Sequence, residues 1–156
     1  MTMKVEKAVY DDIHALVNMR IEYLLEDKGI INDSDLAAIL NGLPVYYQAH
    51  LSKDLLAYVI RDGQTIVSCA FLLLIEKPMS PAFINGKTGT VLNMYTRHSY
   101  RQRGYAKMIM ETMLADAREL GLSVIELKST EDGRALYRSA GFDDDNSGYH
   151  MMVKRL

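Results

Sequence analysis

A mixed α/β sheet with helices packed on it is the fold class predicted by three observations. A short alternating segment near the start gives way to helical spacing, two apolar runs flank a turn-forming tetrapeptide at mid-chain, and strand and helix patterns then alternate. The chain has 156 residues, 49% of them hydrophobic, which suits one domain over residues 1–156 with a sizeable core. No internal repeat, low-complexity tract or linker divides it.

In chain order, "KVEKAV" alternates like a short strand. Asp11 or Asp12 then caps a helix whose Ile13, Leu16, Val17, Leu24 and Leu25 share one face. Between Asp33 and Lys53, acidic and hydroxyl caps together with Gly42 and Pro44 predict two short helical pieces in place of one long helix. "LLAYVI" and "TIVSCAFLLLI" flank "RDGQ", where Asp62 and Gly63 tolerate positive φ, so they read as an antiparallel hairpin. The long hydrophobic run of the second strand predicts burial on both faces. "GTVLNMYT" is another strand. Gly104 to Leu120 is a helix, because Ala106, Ile109, Met110, Met113, Ala117 and Leu120 recur at helical spacing and Gly121 supplies the stop. "SVIEL" reads as a strand, "DGRALYRSA" as a short helix ended by Gly141, and "YHMMVKRL" as a last strand.

Composition excludes several classes of function. Eighteen Lys and Arg against 20 Asp and Glu give a net charge of −2, so nothing global favours a nucleic-acid or membrane surface. The lone Cys69 lies in an apolar run and cannot form an internal disulfide, which predicts core packing and a reducing compartment. "MTMKVEKAVYDD" has no apolar signal core and "CAFLLLI" is too short to span a bilayer, so a cytoplasmic protein is expected. His14, His50, His98 and His150 lack the paired spacing of metal ligands, and no metal is predicted.

One junction carries chemistry. In "YRQRGYAKMIM" a strand runs through Arg101, Gln102, Arg103 and Gly104 directly into an amphipathic helix. The first helical turn leaves backbone N–H groups without intrahelical partners, and the helix dipole places about half a positive charge there. Gly104 lets a ligand approach the main chain, and Ala106 is nearly as permissive. From Arg97 to Met110 the chain carries four Lys or Arg residues and no acid. Phosphate or pyrophosphate is the best-matched ligand, and solvated arginines at an ordinary helix start are the plain alternative. There is no G-x-x-x-x-G-K-S/T and no G-x-G-x-x-G after a strand, which disfavours a P-loop and a dinucleotide fold.

Together with "LGLSVIELKST" and "DGRALYRSAGF", this segment resembles the GCN5-related N-acetyltransferase (GNAT) family over Thr90 to Phe142. The family signature R/Q-x-x-G-x-G/A is met by Arg101, Gly104 and Ala106, and L-Y-x-x-x-G-F by Leu136, Tyr137, Gly141 and Phe142. The resemblance implies a mostly antiparallel central sheet with a splayed parallel strand pair, and acetyl-CoA as cosubstrate. It assigns the pyrophosphate to backbone amides of Arg101, Gln102, Arg103, Gly104, Tyr105, Ala106 and Lys107. It assigns the pantetheine and thioester to the main chain of Met94, Tyr95 and Thr96, with Ser129 offering a further polar group.

Acetyl transfer needs a deprotonated amine, support for an oxyanion, and a proton for the departing thiolate. Tyr137 fits the family's thiol-protonating position, since a phenol of pKa about 10 holds its proton at neutral pH. Where some members carry a glutamate early in the central strand, this chain has Thr90, which cannot act as a base. Glu22, Glu26 and Glu76 are weaker candidates, and no base is assigned. Tyr46 and Tyr47 are placed either in an acceptor wall or in the core, and "DDDN" from Asp143 in a solvated turn or beside a cationic amine. The expected acceptor is a small-molecule amine or a peptide or protein amine, and the family permits a homodimer. A non-catalytic acyl-CoA-binding regulatory module is the alternative.

Overall fold

Leu55, Ala57 and Val59 turn to one side of a strand whose Tyr58 and Ile60 turn to the other, and all five are buried. A strand buried on both faces needs a layer of helices over each, and the computed structural model, which describes residues 3–156, has both. Its elements are β1 (Val5–Lys7), a 3-10 turn at Tyr10–Asp12, α1 (Ile13–Lys28), α2 (Asp33–His50), β2 (Leu55–Asp62), β3 (Thr65–Glu76) and β4 (Lys87–Thr96). A 3-10 turn at His98–Tyr100, α3 (Tyr105–Glu119), β5 (Val124–Glu126) and α4 (Arg134–Ser139) follow.

The five strands lie in sequence order. Neighbours are antiparallel except the parallel pair β4–β5. The sheet separates two apolar clusters. On one face Ile13, Leu16, Val17 and Met19 of α1 and Tyr47 of α2 meet Leu55, Ala57, Val59, Cys69 and Phe71. On the other, Ile109, Met110, Met113 and Ala117 of α3 meet Tyr58, Ile60, Val67, Ala70, Leu72 and Val91. Every residue of β3 from Ile66 to Leu72 is buried, Ser68 included, as its long hydrophobic run predicts. The β2–β3 turn puts Gly63 at φ +61°, while Asp62 pairs with Thr65 and keeps strand geometry.

Three local expectations are corrected. The segment from Asp33 is one helix of 18 residues with Gly42 and Pro44 inside it. The Asn32 side chain caps it at the Asp35 N–H, 2.8 Å away, and Tyr47 anchors its last turn in the core. Cap and anchor together outweigh the one helical hydrogen bond that proline removes. Asp12 stands at the start of α1 without capping it; its Oδ2 instead accepts from the Val9 N–H at 2.8 Å and from Arg61 Nη2 at 2.8 Å. The tail "YHMMVKRL" forms no strand. Tyr149, Met151, Met152, Val153 and Leu156 are each at least 70% exposed.

Candidate active site

Strand β4 is held by β5 only at Thr88, Gly89 and Thr90, and from Val91 to Thr96 it runs on with no strand on that side. An open strand edge presents unpaired peptide groups. The opposite edge is irregular. Register with β3 shifts between Cys69 and Phe71, and Asn93 sits there at φ +57°, a conformation asparagine tolerates better than most residues. Beyond this bulge the Arg97 N–H donates to Val67 O of β3 at 2.9 Å, so strand alternation turns the peptide groups of Met94 and Thr96 to the open edge.

The chain then enters the basic turn. Gln102 at φ +62° and Gly104 at φ +82° flank Arg103, an alternation that forms an anion-binding concavity of N–H groups. No side chain caps α3. Its Met108 N–H donates to Gly104 O at 3.0 Å, leaving the N–H groups of Tyr105, Ala106 and Lys107 with no helical carbonyl to meet. A Cβ built on Gly104 would meet nothing within 4 Å, so the main chain is open to a ligand.

Side chains of this turn are largely committed to bracing it. Arg101 donates from Nε to Thr96 O at 2.8 Å and from Nη2 to Glu26 Oε2, and its guanidinium lies 5.7 Å from the Tyr95 ring centre. Arg97 binds Glu22 through Nε and Nη2, the latter at 2.8 Å. Arg103 donates to Ser99 O, and Lys107 stands 3.9 Å from Glu111. Two α1 carboxylates, Glu22 and Glu26, therefore clamp the strand end. The hydrogen bond from Arg101 holds the Glu26 carboxyl below its usual range against a small opposing effect of burial, so it is a poor proton acceptor. Glu76 pairs with Lys87 at the far end of the β3–β4 hairpin, away from the bulge.

Tyr137 stands on α4. Met94 and Tyr137 pack against the same cluster beneath α3, and Tyr137 meets the Phe142 ring edge-on at 6.0 Å. Burial, with a smaller contribution from Tyr23, raises the Tyr137 pKa, so the phenol is protonated at neutral pH. Ser129 lies beside it. A Cβ added at Gly133 would sit 3.1 Å from the Tyr137 ring and 3.5 Å from Ser129 Oγ, which donates to Thr130 O at 2.6 Å. Tyr137 and Ser129 also line a common cavity of about 320 Å³ with Arg134, Arg138 and Phe142. Asp144 accepts from both arginines there, at 3.2 and 2.8 Å, so the acidic turn is tied to α4.

On the α1 side the rings of Tyr23 and Tyr95 meet edge-on at 6.3 Å. Tyr47 is a core residue at 1% exposure, whereas Tyr46 is partly buried and stacks on His50. Cys69 is free and fully buried, and burial lifts its thiol to about 12. Among the described residues no three His, Cys, Asp or Glu side chains cluster as metal ligands, and no helix is long and apolar enough to cross a membrane.

Sequence reasoning missed Asn93, Arg20 and Tyr23. Only Asn93 left a signal, as an asparagine inside an otherwise apolar and hydroxyl-rich strand.

Comparison with known proteins bears on this geometry. The sequence pattern of the acetyltransferase (GNAT) family matches residues 16–142. Among solved structures, a predicted acetyltransferase with acetyl-CoA from Clostridium acetobutylicum is 27% identical, with a TM-score of 0.84 over 97% of this chain and 96% of that one. A GCN5-related N-acetyltransferase from Ralstonia eutropha JMP134, 23% identical, has a TM-score of 0.81 over 99% of both chains. A ribosomal-protein-alanine N-acetyltransferase from Brucella melitensis shares the fold at 19% identity and a TM-score of 0.72, over 98% of this chain and 100% of that one. No curated protein matches the sequence.

Proposed function

Since the chain belongs to the GNAT acetyltransferase family, we propose that it transfers the acetyl group of acetyl-CoA to a primary amine by direct attack in a ternary complex. The observation that carries this is the uncapped start of α3, with Gln102 and Gly104 at positive φ, set at the end of an open β4 edge. A pyrophosphate fits the N–H groups from Arg101 to Lys107, where the helix dipole favours negative charge. The peptide group of Met94 and the N–H of Thr96, whose carbonyl is taken by Arg101, meet the pantetheine arm, Tyr95 lies between them, and Ser129 approaches the arm from the β5 side.

The neutral amine nitrogen bonds to the thioester carbon, the carbon–sulfur bond breaks, and the nitrogen releases its surplus proton to solvent, from which the Tyr137 phenolate is reprotonated. A main-chain N–H near Met94 takes the developing oxyanion, and Tyr137 gives its proton to the thiolate. The acceptor is a small-molecule amine or a peptide or protein amine, and no nucleic acid is involved. We place the protein in the cytoplasm, where the free thiol of Cys69 stays reduced.

A second reading is a non-catalytic acyl-CoA-binding module. It is favoured by Glu22 and Glu26, which are both committed to arginines and leave the α1 side without a free carboxylate base. We further read the chain as a homodimer. Among the described residues no strand lies beside the outer edge of β5, and the tail from Tyr149 exposes large apolar side chains, so the tail of one copy suits the β5 edge of another.

Calorimetric titration of acetyl-CoA, with dephospho-CoA and ATP as controls, tests the cofactor. Gly104→Glu is expected to abolish binding in a protein that still melts cooperatively, while Gly104→Asn, which tolerates φ +82°, retains most of it. Unchanged affinity in Gly104→Glu would sink the assignment. Acetylation of any amine above background excludes the non-catalytic module.

A further inference from the structure

Arg20 differs from the other arginines of α1 and the β4 end. Arg97 is neutralised by Glu22 and Arg101 by Glu26, yet Arg20, partly buried, has no acidic partner within 4 Å among the described residues. Its one polar contact there is neutral: Nη1 donates to Asn93 Oδ1 at 3.1 Å. Its guanidinium also lies 5.6 Å from the Tyr23 ring centre. A guanidinium has five N–H donors, and one bond to an amide leaves an edge unused. Holding such a charge partly out of water without a counter-charge is unfavourable, so the arrangement calls for a partner that the chain does not supply.

The position says where that partner comes from. Asn93 is the bulge residue that precedes Met94 on the open edge, and its Nδ2 is held 3.5 Å from Cys69 Sγ, so the amide oxygen is directed at Arg20. Tyr23, over which Arg20 lies, contacts Tyr95 and acts on Tyr137. Arg20 also acts electrostatically on Tyr46 and Tyr47, and the Tyr47 hydroxyl is buried with no hydrogen-bond partner. A positive charge with no acidic partner among the described residues, the Tyr23 and Tyr95 rings and the bulge thus meet on the α1 side of β4.

We propose that Arg20 receives a carboxylate of the acceptor, so that the substrates of this site are amines that also carry a carboxylate. The inference rests on the acetyltransferase proposal and adds the acceptor class to it. One net charge matches a monoanion: a planar carboxylate engages the free edge of a single guanidinium, whereas a phosphate dianion would call on Arg97 or Arg101, both already neutralised.

The test compares free amino acids and short peptides, each against its own C-terminal amide, by thiol release from acetyl-CoA. Wild-type protein is expected to prefer the carboxylate form by about 30-fold in kcat/KM, the worth of one charge-assisted pair. The free amino acids and the peptides show which source of the carboxylate is used. Arg20→Met collapses the ratio towards unity, and Arg20→Lys, which keeps the charge and a donor for Asn93, gives an intermediate ratio. A wild-type enzyme that treats acid and amide alike, or acetylates no carboxylate-bearing amine, overturns the proposal. So does an Arg20→Lys protein that slows both forms equally with the ratio intact, because Arg20 then only braces the bulge. Loss of acetyl-CoA binding without acceptor is a separate result, and it strikes the acetyltransferase proposal instead.

Discussion

The surroundings of Tyr137 suit it to the proton-donating role proposed for it. Its ring is fixed against Phe142 and the α3 cluster, while no group of the described residues holds its hydroxyl. A phenol with a raised pKa and a free O–H is suited to giving a proton, and badly suited to taking one. Tyr137→Phe keeps the packing and removes the proton. It is expected to lower kcat about 100-fold while calorimetry shows acetyl-CoA affinity unchanged; equal losses in both would make the residue a cofactor contact. Tyr137, Gly104 and the basic residues could be nominated as candidates from sequence because they occur in short spaced motifs. Asn93 and Arg20 could not, because they lie 73 positions apart and meet only when α1 is laid across the end of β4.

At the scale of elements, legibility followed the strength of the local pattern. The β2–β3 hairpin has two apolar runs around a turn-forming tetrapeptide and α3 a clear period of 3.6, and both appear close to where the sequence puts them. Helix α2 was misread because Gly42 and Pro44 are local breakers, while what overrules them, Tyr47 seated in the core, is a tertiary contact. The entry to α1 was misread for a similar reason. Asp12 serves Arg61 on β2, 49 residues away, in preference to its own helix.

That contact makes stability depend on pH. Burial alone would raise the Asp12 carboxyl above its ordinary 3.8, but the hydrogen bonds from Arg61 and Val9 outweigh it and the pKa falls. A depressed carboxyl stabilises the fold fully above its unfolded pKa, and the contribution disappears as pH drops through the folded value. Asp12→Asn is expected to lose about 1.5 kcal/mol in urea denaturation at pH 7. The gap from wild type should close only below about pH 4. A gap that stays constant down to pH 2.5 would show that the carboxylate charge is not the source.

For the whole molecule, the two helical layers follow from a sequence in which the central strands β2 and β3 carry long, largely apolar runs buried on both faces. The tail was the main failure. "YHMMVKRL" has the composition of a strand, and whether such a segment pairs depends on which edge is within reach, which no local pattern records. If the β5 edge of a second copy receives it, light scattering on the intact chain reports a dimer, and removal of residues 149–156 gives a monomer. A monomeric intact chain would dismiss that pairing.

The exposed tail has a further consequence. A strand docked on another molecule contributes to folding through mass action, so the melting temperature of such a protein rises with its own concentration. Dilution alone would then loosen β5, the loop after it that carries Ser129, and α4 with Tyr137. The abundance of the protein in the cell would thereby set how much of it is competent to work.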